Sequence, residues 1–165
     1  MVDQSVIAAL TFLHIVSAMG WLGGVIFFLS AVGPGARAFT PSASLEFLTK
    51  VGPKQIRFFA GVATATIVFG LALLFAYFGT DYSSWPNYIE AGFTFGLIAY
   101  LIAILVTIPT LRKAVRIARE VMSGPPGPPP PELPGLLKRA NLAAMAVALV
   151  LLLALVFMVG SAVFA

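Results

Sequence analysis

The sequence predicts an all-α integral membrane four-helix bundle with both termini outside and two basic cytoplasmic loops. Three observations predict it. Of 165 residues, 60% are hydrophobic and only 10% charged, with a mean hydropathy of +1.02. Soluble domains are about 45–50% apolar and about 25% charged. Four uninterrupted apolar stretches, about 6–32, 58–78, 92–111 and 142–165, are each long enough for a bilayer core of about 30 Å, which takes about 20 helical residues. All ten Lys and Arg residues fall in two places, between the first and second stretches and between the third and fourth.

A single four-span domain, 1–165, follows from the length. Helices rather than a barrel are expected, because the apolar runs are continuous instead of alternating. Arg37, Lys50, Lys54 and Arg57 mark one inner loop; Arg112, Lys113, Arg116, Arg119, Lys138 and Arg139 mark the other. Asp3, Asp81 and Glu90 sit on the Lys/Arg-free side. The positive-inside rule therefore places both basic loops in the cytoplasm. The net charge of +4 and pI near 9.8 then read as membrane orientation, with no nucleic-acid role, since the cations never interleave with exposed aromatics as a stacking groove requires. Cysteine is absent, which excludes disulfides, thiolate metal sites, iron–sulfur clusters and cysteine nucleophiles.

The first span carries Asp3 and no basic leader, and its apolar run is too long for a signal peptide, so it is expected to stay in the mature protein. In the first inner loop, Thr40-Pro41 is an N-cap followed by a first-turn proline. A short interfacial helix over 42–50 is expected, ended by Gly52-Pro53 before the second span begins. The outer loop offers Tyr82, Trp85 and Tyr88 to an interfacial aromatic belt. In the third span, Pro109 is expected to bend the helix and free the Leu105 carbonyl. Arg112, Arg116 and Arg119 share one face of its helical continuation, suited to anchoring or to anionic lipid head groups. The Pro-rich cytoplasmic loop 124–134 reads as a stiff spacer or as a docking arm for a partner subunit.

One ionisable residue lies within the apolar spans, His14. Intramembrane ionisable groups are costly and are functional candidates by default. His14 lies about 12 Å into the first helix at 1.5 Å per residue, in the outer half of the bilayer. Thr11, Ser17, Ala18, Trp21 and Gly24 share roughly its face, which should point at other helices. Depth matching brings Thr66, Phe69 and Gly70 of the second span, Tyr100 of the third and Met158 of the fourth to a similar level. Gly20-x-x-x-Gly24 permits close helix approach.

Two readings of His14 stand side by side. It either hydrogen-bonds a neighbouring helix as a packing residue or serves as a ligand. One histidine cannot supply bis-histidine haem ligation within a protomer. Haem remains open through His14 with Met158, His14 alone, or two His14 residues across a dimer. Copper(I) suits imidazole and thioether ligands. Hydrolytic zinc is disfavoured for want of three protein ligands. No serine–histidine–acid set, P-loop or dinucleotide fingerprint occurs, and paired polar residues on a broken helix, as in a transporter, are not evident.

The segment His14-Ile15-Val16-Ser17-Ala18-Met19-Gly20-Trp21-Leu22-Gly23-Gly24 resembles the opening span of the CopD-like copper-resistance membrane proteins. It is also similar to the first span of HemJ-type protoporphyrinogen oxidases, which share the His, Trp and Gly spacing. Lys138-Arg139-Ala140-Asn141 before the last apolar helix fits the CopD-like pattern loosely. The resemblance covers about 25 residues well. It implies a small four-helix membrane protein linked to copper handling or haem chemistry, with His14 as the metal or haem ligand. Where HemJ-type proteins continue with an Arg-rich, histidine-bearing stretch, this chain has Ala31-Val32-Gly33-Pro34-Gly35, so the likeness does not extend to protoporphyrinogen oxidation.

The expected function is thus a haem b- or copper-binding membrane protein in electron transfer or metal handling. His14 is the ligand, Met158 a second candidate, and Trp21 and Tyr100 line the site. The alternative is a non-catalytic accessory subunit of a larger, respiratory-type membrane complex. Expected partners are the lipid bilayer and either a homodimer mate or such a complex, and the expected location is the cell membrane of a prokaryote.

Overall fold

The computed structural model describes residues 3–81, 85–124 and 130–164. Tyr82 and the prolines at 125, 126, 128 and 129 lie outside the described residues. Every regular element described is helical: α1 Gln4–Phe27, α2 Gly33–Arg37, α3 Pro41–Phe78, α4 Asn87–Ile102, α5 Ile108–Ser123 and α6 Glu132–Phe164. A π-helical turn, Phe28–Val32, joins α1 to α2, and a second, Ala103–Thr107, joins α4 to α5. Among the described residues, four helical spans are long and apolar enough to cross a membrane: Gln4–Ala36, Pro41–Phe78, Asn87–Ser123 and Glu132–Gly160. The chain is an integral membrane four-helix bundle.

Both π turns have the same local cause. Each is followed by a proline in the first turn of the next helix, Pro34 in α2 and Pro109 in α5. A proline lacks the N–H that would close an α-turn, and its ring presses on the carbonyl four residues back. The wider i→i+5 turn relieves that pressure while keeping the chain helical. Gly33 N–H bonds Phe28 O, and Ile108 N–H bonds Ala103 O, each across five residues. The bend expected at Pro109 thus takes the form of an inserted residue in the preceding turn.

Pro53 behaves differently, and this corrects the expectation of a separate helix over 42–50. Helix α3 runs unbroken through Pro53 for 38 residues. Thr40 caps it as expected, its hydroxyl accepting from Ala43 N at 3.4 Å. The helix is not interrupted because Gly52 removes the side chain where the helix meets α5. A Cβ there would stand 2.6 Å from Val115 Cγ2, so α3 and α5 press together across this point. Pro53 leaves the Thr49 carbonyl without its helical N–H partner.

At 1.5 Å per residue α3 is about 57 Å long, well beyond a hydrocarbon core of about 30 Å. The surplus projects at the basic end. There the start of α3, α5 and the start of α6 form a small cap core of Ala114, Ile117 and Leu133, flanked by Leu45, Leu48, Val121 and Leu136. Helix α5 is amphipathic: Ala114, Val115, Ile117 and Ala118 are buried, while Arg112, Lys113, Arg116 and Arg119 are exposed. Lys113 reaches Glu132 of α6 at 2.9 Å, an exposed pair that contributes little to stability.

Within the membrane, α1 packs on α3 and α4 on α6. The pairs meet at a core of Trp21, Val25, Ala63, Ala99, Ala103, Val147, Ala148 and Leu151. Its alanines let backbones approach, which is how helices associate where lipid and side chain are equally apolar. Trp21, 1% exposed, fills the space they leave. Large apolar residues such as Phe12, Met19, Phe75 and Leu149 remain exposed and face lipid.

Candidate functional site

His14 projects from α1 onto α3. Its Nδ1 lies 2.9 Å from the carbonyl oxygen of Thr66. A carbonyl only accepts, so Nδ1 carries the proton and, in the neutral ring, Nε2 keeps the lone pair. The hydroxyls nearby are satisfied on their own helices: Ser17 donates to Leu13 O at 2.8 Å, Thr66 to Val62 O at 2.7 Å, and Thr11 to Ile7 O at 2.8 Å. The Thr66 carbonyl is therefore what orients the imidazole.

Gly70 makes this approach possible. It stands one turn beyond Thr66 on the same face of α3. A Cβ at Gly70 would lie 2.8 Å from His14 Cε1 and 3.1 Å from Nδ1, but 3.8 Å from Nε2. The missing side chain opens a recess over the backbone, and the ring enters it with Nε2 on the side turned away from the glycine. The two glycines of Gly20-x-x-x-Gly24 face the same helix: a Cβ at Gly20 would meet Val62 at 3.5 Å, and one at Gly24 the Phe59 ring at 3.0 Å.

The other predicted site residues are placed as follows. Trp21 is in the central core, and Tyr100 packs against that core. The Tyr100 hydroxyl is 3.2 Å from the Thr64 hydroxyl, linking α4 to α3. Met158 of α6 is seated against α4, where a Cβ at Gly92 would lie 2.7 Å from its Cγ. His14 thus belongs to the α1–α3 seam and Met158 to the α4–α6 seam, with Trp21 and Tyr100 sharing the core between the pairs.

Among the described residues no group of three or more His, Cys, Asp or Glu side chains converges as a metal site. The donor set at His14 is one imidazole nitrogen. That fits an axial haem ligand or one arm of a low-coordinate copper(I) site, and it does not fit zinc, which takes three or four protein ligands.

A feature that sequence reasoning missed lies at the basic end, a cavity of about 560 Å³ lined by all four spans. Gln55, half-buried in α3 between Lys54 and Arg57, is on its wall. The available signal was an amide placed among cations just before an apolar run.

No family model matches the chain, and neither a curated protein nor a solved structure does.

Proposed function

We propose that the chain is a haem b- or copper-binding integral membrane protein acting in electron transfer or metal handling, with His14 as the protein ligand. One observation carries this reading. Nδ1–H is committed to a backbone carbonyl at 2.9 Å, and metal-ligating histidines are oriented in this way, their second nitrogen held by a carbonyl or carboxylate so that the first is fixed as donor. The resemblance of His14–Gly24 to CopD-like proteins points the same way.

His14 supplies and orients one donor atom, Nε2. Trp21 and Tyr100 stiffen the adjoining core, and Met158 is the second-ligand candidate from this chain. A partner's His14 in a homodimer is the other source of a second ligand. The positive-inside distribution supports cytoplasmic basic loops, and the location proposed is the cell membrane of a prokaryote.

The optical spectrum of the purified protein, oxidised and dithionite-reduced, with metal analysis of the same sample, tests the proposal. A Soret band with a reduced α-band identifies haem, and copper without a chromophore identifies metal handling. A preparation from intact membranes with neither, copurifying with stoichiometric partner chains, would replace this reading with that of an accessory subunit.

A further inference from the structure

The cavity at the basic end is lined by none of His14, Thr66 and Gly70. Its volume, about 560 Å³, lies within the range of small-molecule sites, about 300–1,000 Å³. Each π turn gives it a wall residue, Phe28 from the first and Thr107 from the second. The two widened turns thus help to shape one space. A narrower recess of about 50 Å³ shares Phe28, Gln55 and Thr107 with it and continues inward to Trp21. The two recesses share these walls and step from the basic end toward the core.

The chemistry of its walls selects the occupant. Most of the lining is apolar, and a single charged residue, Lys138, stands on it, with Asn141 one turn further along α6. No carboxylate lines the cavity. The three acidic residues of this end are engaged elsewhere: Glu46 with Lys50, Glu120 with Arg116 and Glu132 with Lys113. Among the described residues neither Lys138 nor Gln55 has a hydrogen-bond or ion-pair partner. Water fills an apolar space poorly, because each molecule needs two to four polar partners. An unfilled space forfeits dispersion contacts.

We infer that this slot holds one acyl chain of an anionic phospholipid from the surrounding leaflet, with the lipid phosphate on Lys138 and Asn141 and the chain running inward past Gln55 toward Trp21. The anionic preference follows from Lys138, the one charged residue on the wall. Each cation near the membrane surface favours an anionic lipid by a factor of about five.

The chain contains only two tryptophans, and this makes the slot directly readable. In the full-length Trp85→Phe protein, Trp21 is the sole tryptophan emitter, and its 1% exposure shields it from the surrounding bulk lipid. Bilayers of phosphatidylcholine are prepared with a small fraction of lipid brominated in the inner half of its chains, carried either on phosphatidylglycerol or on phosphatidylcholine. We expect saturable quenching of Trp21 by the brominated phosphatidylglycerol, about fivefold more sensitive than with the choline lipid. Lys138→Gln, at an exposed position that leaves the core intact, should bring the two lipids together. Equal quenching by both lipids in the parent would overturn the inference. Tighter quenching by a brominated free fatty acid than by the phospholipid would also overturn it, in favour of a soluble amphiphile.

Discussion

His14 and Gly70 form a ring-and-recess pair: the imidazole occupies the volume a side chain would take on α3, with Cε1 2.8 Å from where the Gly70 Cβ would be. The pair places Nδ1 on the Thr66 carbonyl and leaves Nε2 unprotonated in the neutral ring. Gly70→Ala should therefore expel the ring, although alanine is the better helix former by about 1 kcal/mol. We expect a net loss of about 1–3 kcal/mol from overpacking, with a changed imidazole ¹⁵N spectrum. Gly61→Ala, with open space at its Cβ position, is the control and should be neutral or stabilising. A Gly70→Ala protein as stable as the Gly61→Ala protein, with an unchanged ring spectrum, would refute the pairing.

A second recess sits at the other helix pair. Gly92→Ala brings a Cβ to 2.7 Å from Met158 Cγ and should destabilise the bundle by about 1–3 kcal/mol. Shortening the partner, Met158→Ala, should relieve the clash. The double variant is then less unstable than the sum of the singles by about 0.5–3 kcal/mol, the range for residues in contact. Additive effects in a denaturation cycle would show that the two do not meet.

The π turn before Pro109 makes a geometric prediction. In Pro109→Ala the α-turn can re-form, and removing one residue from the turn rotates α5 by about 100° against α4. The Lys113–Glu132 proximity, 2.9 Å between charged atoms, should be lost. Because the sequence has no cysteine, the pair Lys113→Cys and Glu132→Cys can be bridged by a short thiol cross-linker without background. Efficient cross-linking of the double-cysteine protein, and a marked decrease when Pro109→Ala is added, is the expected result.

The start of α1 is expected to respond to pH. Asp3 Oδ1 accepts from Ser5 N at 2.9 Å, and that hydrogen bond holds its carboxyl below the ordinary value of 3.8. A group with a depressed folded pKa stabilises the helix above its unfolded pKa, and the contribution is lost as pH falls through the lower folded value. Backbone chemical shifts over residues 5–8 should accordingly lose helical character below about pH 3.8. In Asp3→Asn the cap persists and the transition should disappear. An identical acid transition in Asp3→Asn would assign it to another group.

The sequence showed the four spans because uninterrupted apolar runs such as 142–165 have no other stable home. It understated their reach. The helical continuation past Arg112 is expected from the spacing of Arg112, Arg116 and Arg119, whereas residues 132–141 join the last span through the packing of Leu133 with Ala114 and Ile117 in the cap core. Gly52-Pro53 reads locally as a stop; the approach of Val115 to Gly52 reverses that, and no local pattern encodes it. Depth along the helices brought Thr66 and Gly70 level with His14, since rise per residue is fixed. Depth does not give rotation, so the seating of Met158 on Gly92 and the cavity behind Gln55 were legible only in the folded chain.

His14 Nε2 is proposed as a ligand. The most direct measurement is haem and copper content per chain in the parent and in His14→Ala, purified side by side from membranes, with circular dichroism showing equal helix content. Haem or copper is expected in the parent and should be lost in His14→Ala. Equal content in both proteins would contradict it and leave His14 as a packing residue between α1 and α3.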